Sequence, residues 1–214
     1  MRKEEVPLKP RGEFGASKVF MDQGGAIRPK SSQDELTSDG FGGCSAISAE
    51  SNNLFGLYHL RSTLEERDED EASQYIEYNG LMIKENSVLK PYIDWVKKLG
   101  EMAQGERLHF KIGTPHSYDS QQVQENHPYI GMERFLRSVC KGCGIENYDI
   151  ELVNMRSVTH VSLNSSGLTC YNYGNNEVQV QKAQYQTDEE ILEHALSTDQ
   201  RRLNTKSTVL SSNE

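Results

Sequence analysis

The stretch that most constrains the fold is Gly42-Gly43-Cys44-Ser45-Ala46-Ile47-Ser48-Ala49-Glu50-Ser51-Asn52-Asn53-Leu54-Phe55-Gly56-Leu57-Tyr58-His59. Two short apolar runs flank the polar tetrad Glu50-Ser51-Asn52-Asn53, which is the pattern of a β-hairpin. With Ser51-Asn52 as the loop, Glu50 pairs with Asn53, and the ladder runs back to set Cys44 directly opposite His59. Side chains alternate along a strand, so Cys44, Ala46 and Ser48 share a face with Phe55, Leu57 and His59. Ile47, Ala49, Leu54 and Tyr58 point the other way. Both faces are mostly apolar, which places the hairpin in the middle of a sheet or sandwich rather than at a wet edge.

The rest of the chain supplies partners for it. At 214 residues the chain has room for one domain of about 150 residues plus tails. Residues 1–16 are polar and carry Pro and Gly, as expected of a flexible N-terminal segment. Residues 17–186 read as a single α+β domain with an insertion around 61–107. Residues 17–21 form a short strand candidate, and 22–43, rich in Gly, Ser and Asp, read as a long loop that delivers the chain to Gly42-Gly43-Cys44. Within 61–107, an acidic run precedes a helix. Tyr92, Ile93, Val96, Leu99 and Met102 recur there at three- and four-residue steps, with Pro91 at the start.

Residues 108–112 alternate as a strand, and 113–128 form a polar loop. Ile130, Phe135, Leu136 and Val139 mark a second helix that ends near Gly142 or Gly144. Strands are expected at 150–155, 158–163, 168–173 and 178–184, joined by Asn/Gly/Ser turns as a meander. Residues 187–214 read as a C-terminal polar helix and tail, opened by a Thr187–Glu190 capping box. The fold class is α+β, with a mostly antiparallel β-sheet or β-sandwich core and flanking helices.

Charge narrows the partners. The net charge is −9 and no Lys/Arg stripe offsets it, which argues against a nucleic-acid partner. The acidic run Glu65–Glu71 reads as a solvated face. Met1-Arg2-Lys3-Glu4-Glu5 is followed by no apolar core of a Sec-type signal, and no apolar stretch nears the ~18 residues of a membrane span. The expectation is a soluble monomer, cytoplasmic where it is made, with export by a route that needs no cleaved signal left open. Cys44, Cys140, Cys143 and Cys170 are expected as thiols. Cys140-Lys141-Gly142-Cys143 lacks the second ligand pair a zinc site needs, so no metal and no cofactor is expected.

An imidazole within hydrogen-bond reach of a thiol makes a cysteine nucleophile with its base. Gly42 and Gly43 let the backbone turn and approach a substrate. The backbone around Gly43 and the Cys44 N–H can then face a developing oxyanion. A third group should fix the imidazole tautomer. Thr37, Ser38, Asp39 and a backbone carbonyl all qualify.

A Gly-Cys that opens a strand, a turn, and a second strand that ends in Tyr58-His59 resemble the cysteine-dependent protein-glutamine deamidases. That superfamily includes the cytotoxic necrotizing factor catalytic domains and the CheD-like deamidases. Ile130-Gly131-Met132-Glu133-Arg134-Phe135 and the strands that follow it resemble the CheD layout as well. Leu60-Arg61 stands where CheD proteins carry Leu-Pro, and the residues between His59 and Leu108 are an insertion.

The resemblance implies that Cys44 is the nucleophile and His59 the general base. Related deamidases carry a Thr six residues before the cysteine, a place held here by Ser38 with Thr37 beside it. It also implies conversion of a substrate-protein Gln to Glu through a thioester, with transglutamination when an amine replaces water. A toxin-like effector acting on a host protein such as a Rho-family GTPase fits that chemistry. Two rivals remain at this stage. One is a papain-like cysteine protease that uses His160. The other is a non-enzymatic acidic interaction module.

Overall fold

A computed structural model describes residues 17–61, 74–114, 131–187, 189–190 and 193. The N-terminal segment, the acidic run, most of the 113–128 loop and most of the C-terminal helix and tail lie outside the described residues. Among the described residues, twelve strands and two helices are named. In chain order they begin with β1 (Ala26–Pro29), β2 (Leu36–Asp39), β3 (Ser45–Glu50), β4 (Leu54–Leu60), β5 (Tyr75–Tyr78) and β6 (Leu81–Lys84). They continue with α1 (Lys90–Ala103), β7 (Leu108–Thr114), α2 (Met132–Gly142), β8 (Tyr148–Asn154), β9 (His160–Asn164), β10 (Gly167–Tyr171), β11 (Glu177–Val178) and β12 (Gln181–Lys182).

Two sheets make the core. A six-stranded sheet has the order β1-β4-β3-β7-β8-β12, and a four-stranded sheet has the order β11-β10-β9-β2. All pairings between these strands are antiparallel except β7 with β8. The fold is therefore α+β with a mostly antiparallel core. The β3–β4 hairpin sits inside the larger sheet and is buried on both faces, because its two apolar faces meet two different layers. Ala46, Phe55 and Leu57 pack with Leu36, Val161, Leu163 and Cys170 between the sheets. Ile47, Ala49, Leu54 and Tyr58 pack on the opposite side against α1 and α2.

α1 forms because Tyr92, Ile93, Val96, Leu99 and Ala103 make one buried stripe, with Pro91 in the first turn where a missing N–H costs nothing. It stops at Gln104, which takes a left-handed backbone (φ 52°). Trp95 reaches over the sheet edge, and its Nε1–H donates to the Ala26 carbonyl at 3.3 Å. A side chain at Gly25 would overlap that indole ring at 2.1 Å, so the close approach requires glycine. Among the described residues no helix is long and apolar enough to cross a membrane.

Three expectations about elements are corrected. Residues 22–43 are not one long loop, since they carry β1 and β2. β1 is an edge strand ending in Pro29, and β2 pairs with β9. Gly, Ser and Asp around these four-residue strands mask them, and an edge tolerates the proline. Residues 17–21 do not form a strand of their own. They touch β2 through one parallel bridge, Lys18 with Thr37. Nor does β8 begin a meander. It lies parallel to β7 in the large sheet, reached through the crossover that contains α2. Only β9, β10 and β11 run as a meander. The predicted capping box is present: Glu190 N–H donates to Thr187 Oγ1, and Thr187 N–H donates to Glu190 Oε2, each at 3.2 Å.

Candidate active site

The hairpin turn decides how Cys44 and His59 are related. The register pairs Ser45 with Leu60 and Ala46 with His59. The expected direct opposition of Cys44 and His59 is thus off by two positions. The cause is local. Ser51 Oγ donates to Asn53 Oδ1 at 2.8 Å, and Ser51 N–H donates to the Leu54 carbonyl at 2.9 Å. Ser51 therefore closes the ladder and Asn52-Asn53 makes the turn. A slip of one residue would have sent the imidazole to the other face; a slip of two keeps the face and changes only the neighbour. Cys44, just before β3, becomes a diagonal neighbour of His59, a relation in which Cβ atoms lie about 7–8 Å apart or less.

His59 is 4% exposed. Its ring stacks on Phe41, with centroids 4.2 Å apart and planes 24° from parallel. Nδ1 is 2.9 Å from Ser38 Oγ. The Ser38 hydroxyl is committed, since it donates to the Val19 carbonyl at 2.7 Å. A hydroxyl has one proton, so Ser38 Oγ accepts from Nδ1–H. That fixes the tautomer and leaves the basic lone pair on Nε2. Nε2 is buried and has no hydrogen-bond partner among the described residues. Burial pushes the imidazole pKa down to about 4, against an opposing pull from the Asp22 and Asp39 charges. The ring is therefore neutral at neutral pH, with its lone pair on Nε2.

Strand alternation sends the two hydroxyls to opposite faces of β2. Ser38 is 1% exposed and faces the space between the sheets, whereas the adjacent Thr37 side chain points to the other face of β2. Thr37 serves through its backbone: its carbonyl accepts from Val19 N–H at 2.8 Å, and its N–H donates to the Ser17 carbonyl at 2.9 Å. It thereby holds in place the carbonyl that Ser38 uses. Asp39 pairs instead with Lys18 at 2.9 Å on the surface.

Cys44 is half-buried, and its Sγ lies 3.2 Å from Met21 Sδ. The left-handed glycine before it is Gly40 (φ 85°). A Cβ placed on Gly42 would meet nothing within 4 Å, so the backbone there borders open space. Residues 20–23 form a tight turn beside the thiol. Gln23 N–H donates to the Phe20 carbonyl, and Asp22 N–H donates to the His59 carbonyl at 3.0 Å. Phe41, Met21 and Asp22 were not singled out from sequence. Only Phe41, an aromatic beside the Gly-Gly pair, left a signal there.

His160 pairs with Asp39 and lies near Tyr171, with ring centroids 4.9 Å apart. Its neighbour Val161 fills the inter-sheet core, so His160 faces outward, away from the layer against which Cys44 packs. All four cysteines are thiols. Burial pushes Cys140 up to about 12 and Cys170 up to about 11. Among the described residues no group of three or more His, Cys, Asp or Glu is placed to hold a metal ion. No protein-family model and no curated protein matches the sequence.

Proposed function

We propose that the protein is a cysteine-dependent protein-glutamine deamidase in which Cys44 is the nucleophile, His59 the general base and Ser38 the group that orients the imidazole. The observation that carries this reading is the chain Val19 carbonyl–Ser38 Oγ–His59 Nδ1, which leaves the Nε2 lone pair without a partner among the described residues, on the face shared with Cys44. Triads are recognised by such roles.

In the proposed reaction the Cys44 thiol gives its proton to Nε2 as sulfur attacks the δ-carbon of a substrate glutamine. The C–N bond breaks, the imidazolium returns the proton, and ammonia leaves. His59 then takes a proton from water as it attacks the thioester, which releases glutamate and the thiol. An amine in place of water would give transglutamination. The thiol has to leave Met21 to reach the imidazole, and catalytic contacts are commonly looser without substrate. The Cys44 N–H, beside the open Gly42 backbone, is the proposed donor to the oxyanion.

The substrate class, a switch glutamine of a small GTPase, rests on the resemblance and on the fact that this residue orients the hydrolytic water. Its conversion to glutamate would hold the GTP state, as expected of an exported, toxin-like effector. The outward His160 gives the papain-like alternative no matching support. Incubation with candidate GTPases should add about 1 Da at one glutamine and release ammonia, as deamidation through a thioester requires. Both signals should vanish in Cys44→Ser and in His59→Ala. Full activity in either variant overturns the reading.

A further inference from the structure

We infer that Asp22 is the positioning residue that governs access of Cys44 to His59: its turn holds Met21 over the thiol and grips the end of the strand that carries the imidazole. The catalytic meaning of this rests on the deamidase reading, whereas the cover itself does not. Asp22 takes a left-handed backbone (φ 53°), a conformation that Asp and Asn tolerate better than other side chains. Its N–H donates to the His59 carbonyl at 3.0 Å. Its carboxylate accepts from the Arg61 backbone N–H at 3.2 Å and from Arg61 Nε at 2.6 Å. The Asp22 side chain is 10% exposed and that of Arg61 35%, so this clamp is partly shielded from water.

The residue just before the clamp is Met21. It is 47% exposed, yet its sulfur sits on Cys44 Sγ. Phe20 beside it is 37% exposed, with the Lys18 ammonium over its ring at 5.5 Å. Phe20 and Met21 are both partly exposed, and the Asp22 clamp follows them directly in the chain. Local segments of this kind open at low cost once their few anchors are lost. One residue thus connects to both members of the pair, gripping the His59 main chain directly and covering Cys44 through Met21.

The test is iodoacetamide labelling at pH 9, where an ordinary thiol is mostly ionised whatever its imidazole does, read peptide by peptide. Met21→Ala and Asp22→Ala should each raise labelling of Cys44 by roughly fivefold or more, the signature of a lost local anchor. Buried Cys170 should not change, because general loosening would raise both sites. Asp22→Asn retains an acceptor for Arg61 and tolerates the backbone, so it should stay within about twofold of the parent. No change at Cys44 in Asp22→Ala, or a parallel rise at Cys170, overturns the positioning role; no change in Met21→Ala overturns the cover. Absence of glutamine deamidation by every form, with the labelling pattern as expected, would sink the deamidase reading alone.

Discussion

Two regions of the molecule bring cysteine to helix or strand ends, and they differ in what surrounds the sulfur. At the end of α2, Cys140 is fully buried within the helix layer, and burial raises its pKa and that of half-buried Cys143. Just before β3, half-buried Cys44 shares a face with an imidazole whose Nδ1 is held and whose buried Nε2 has no hydrogen-bond partner among the described residues. A thiol becomes a nucleophile through its surroundings rather than through a sequence motif. On the proposed reading the C-x-x-C pair, the more conspicuous motif on paper, is the less reactive one, since burial raises both of its thiol pKa values.

The contrast can be broken in order of effect. Cys44→Ser and His59→Ala should each cost roughly a thousandfold or more in deamidation, since members of one catalytic unit fail together. Cys140→Ala and Cys143→Ala should leave the rate within about twofold, provided folding survives the small cavity; turnover rates of the four variants decide this. Ser38→Ala should cost about ten- to a hundredfold, less than loss of the base itself, and it leaves a buried Nδ1–H unpaired. Thr37→Val should cost little, because the Thr37 backbone and not its hydroxyl supports the site. Equal losses in Ser38→Ala and Thr37→Val would remove the orienting role assigned to Ser38.

A smaller effect concerns stability. The folded-state pKa of His59 lies below the ordinary value, so the unfolded chain takes up the proton first. Stability should therefore fall as pH drops from about 6.5 toward about 4. The loss should be on the order of 2 kcal/mol. Denaturant midpoints at pH 7 and pH 5 check this. His59→Gln should show a smaller pH dependence, and an unchanged one would place the titration elsewhere.

Much of the site was legible in the sequence because parity is robust. The hairpin, its two apolar faces and the shared side of Cys44 and His59 survive a two-residue error in register. The error came from Ser51, whose hydroxyl bonds to Asn53 and so decides the turn; a run of polar residues hides which two form the loop. The third group was illegible for a different reason. Once 36–39 is known to be a strand, alternation admits Ser38 and rejects Thr37, but Gly, Ser and Asp on both sides made that segment look like loop. The Met21–Asp22 turn has no sequence signal at all, because its contacts with Cys44, His59 and Arg61 span 23 to 39 positions along the chain and depend on tertiary packing.

The account stands on Cys44 and His59 acting as one unit. The most direct measurement is the rate of Cys44 alkylation at pH 7 in the parent and in His59→Ala, with Cys143 in the same sample as the internal standard. The account predicts that Cys44 labels faster than Cys143 in the parent, and that His59→Ala slows Cys44 by about tenfold while Cys143 is unchanged, as loss of a neighbouring base requires. A Cys44 rate that is the same with and without the imidazole would contradict it.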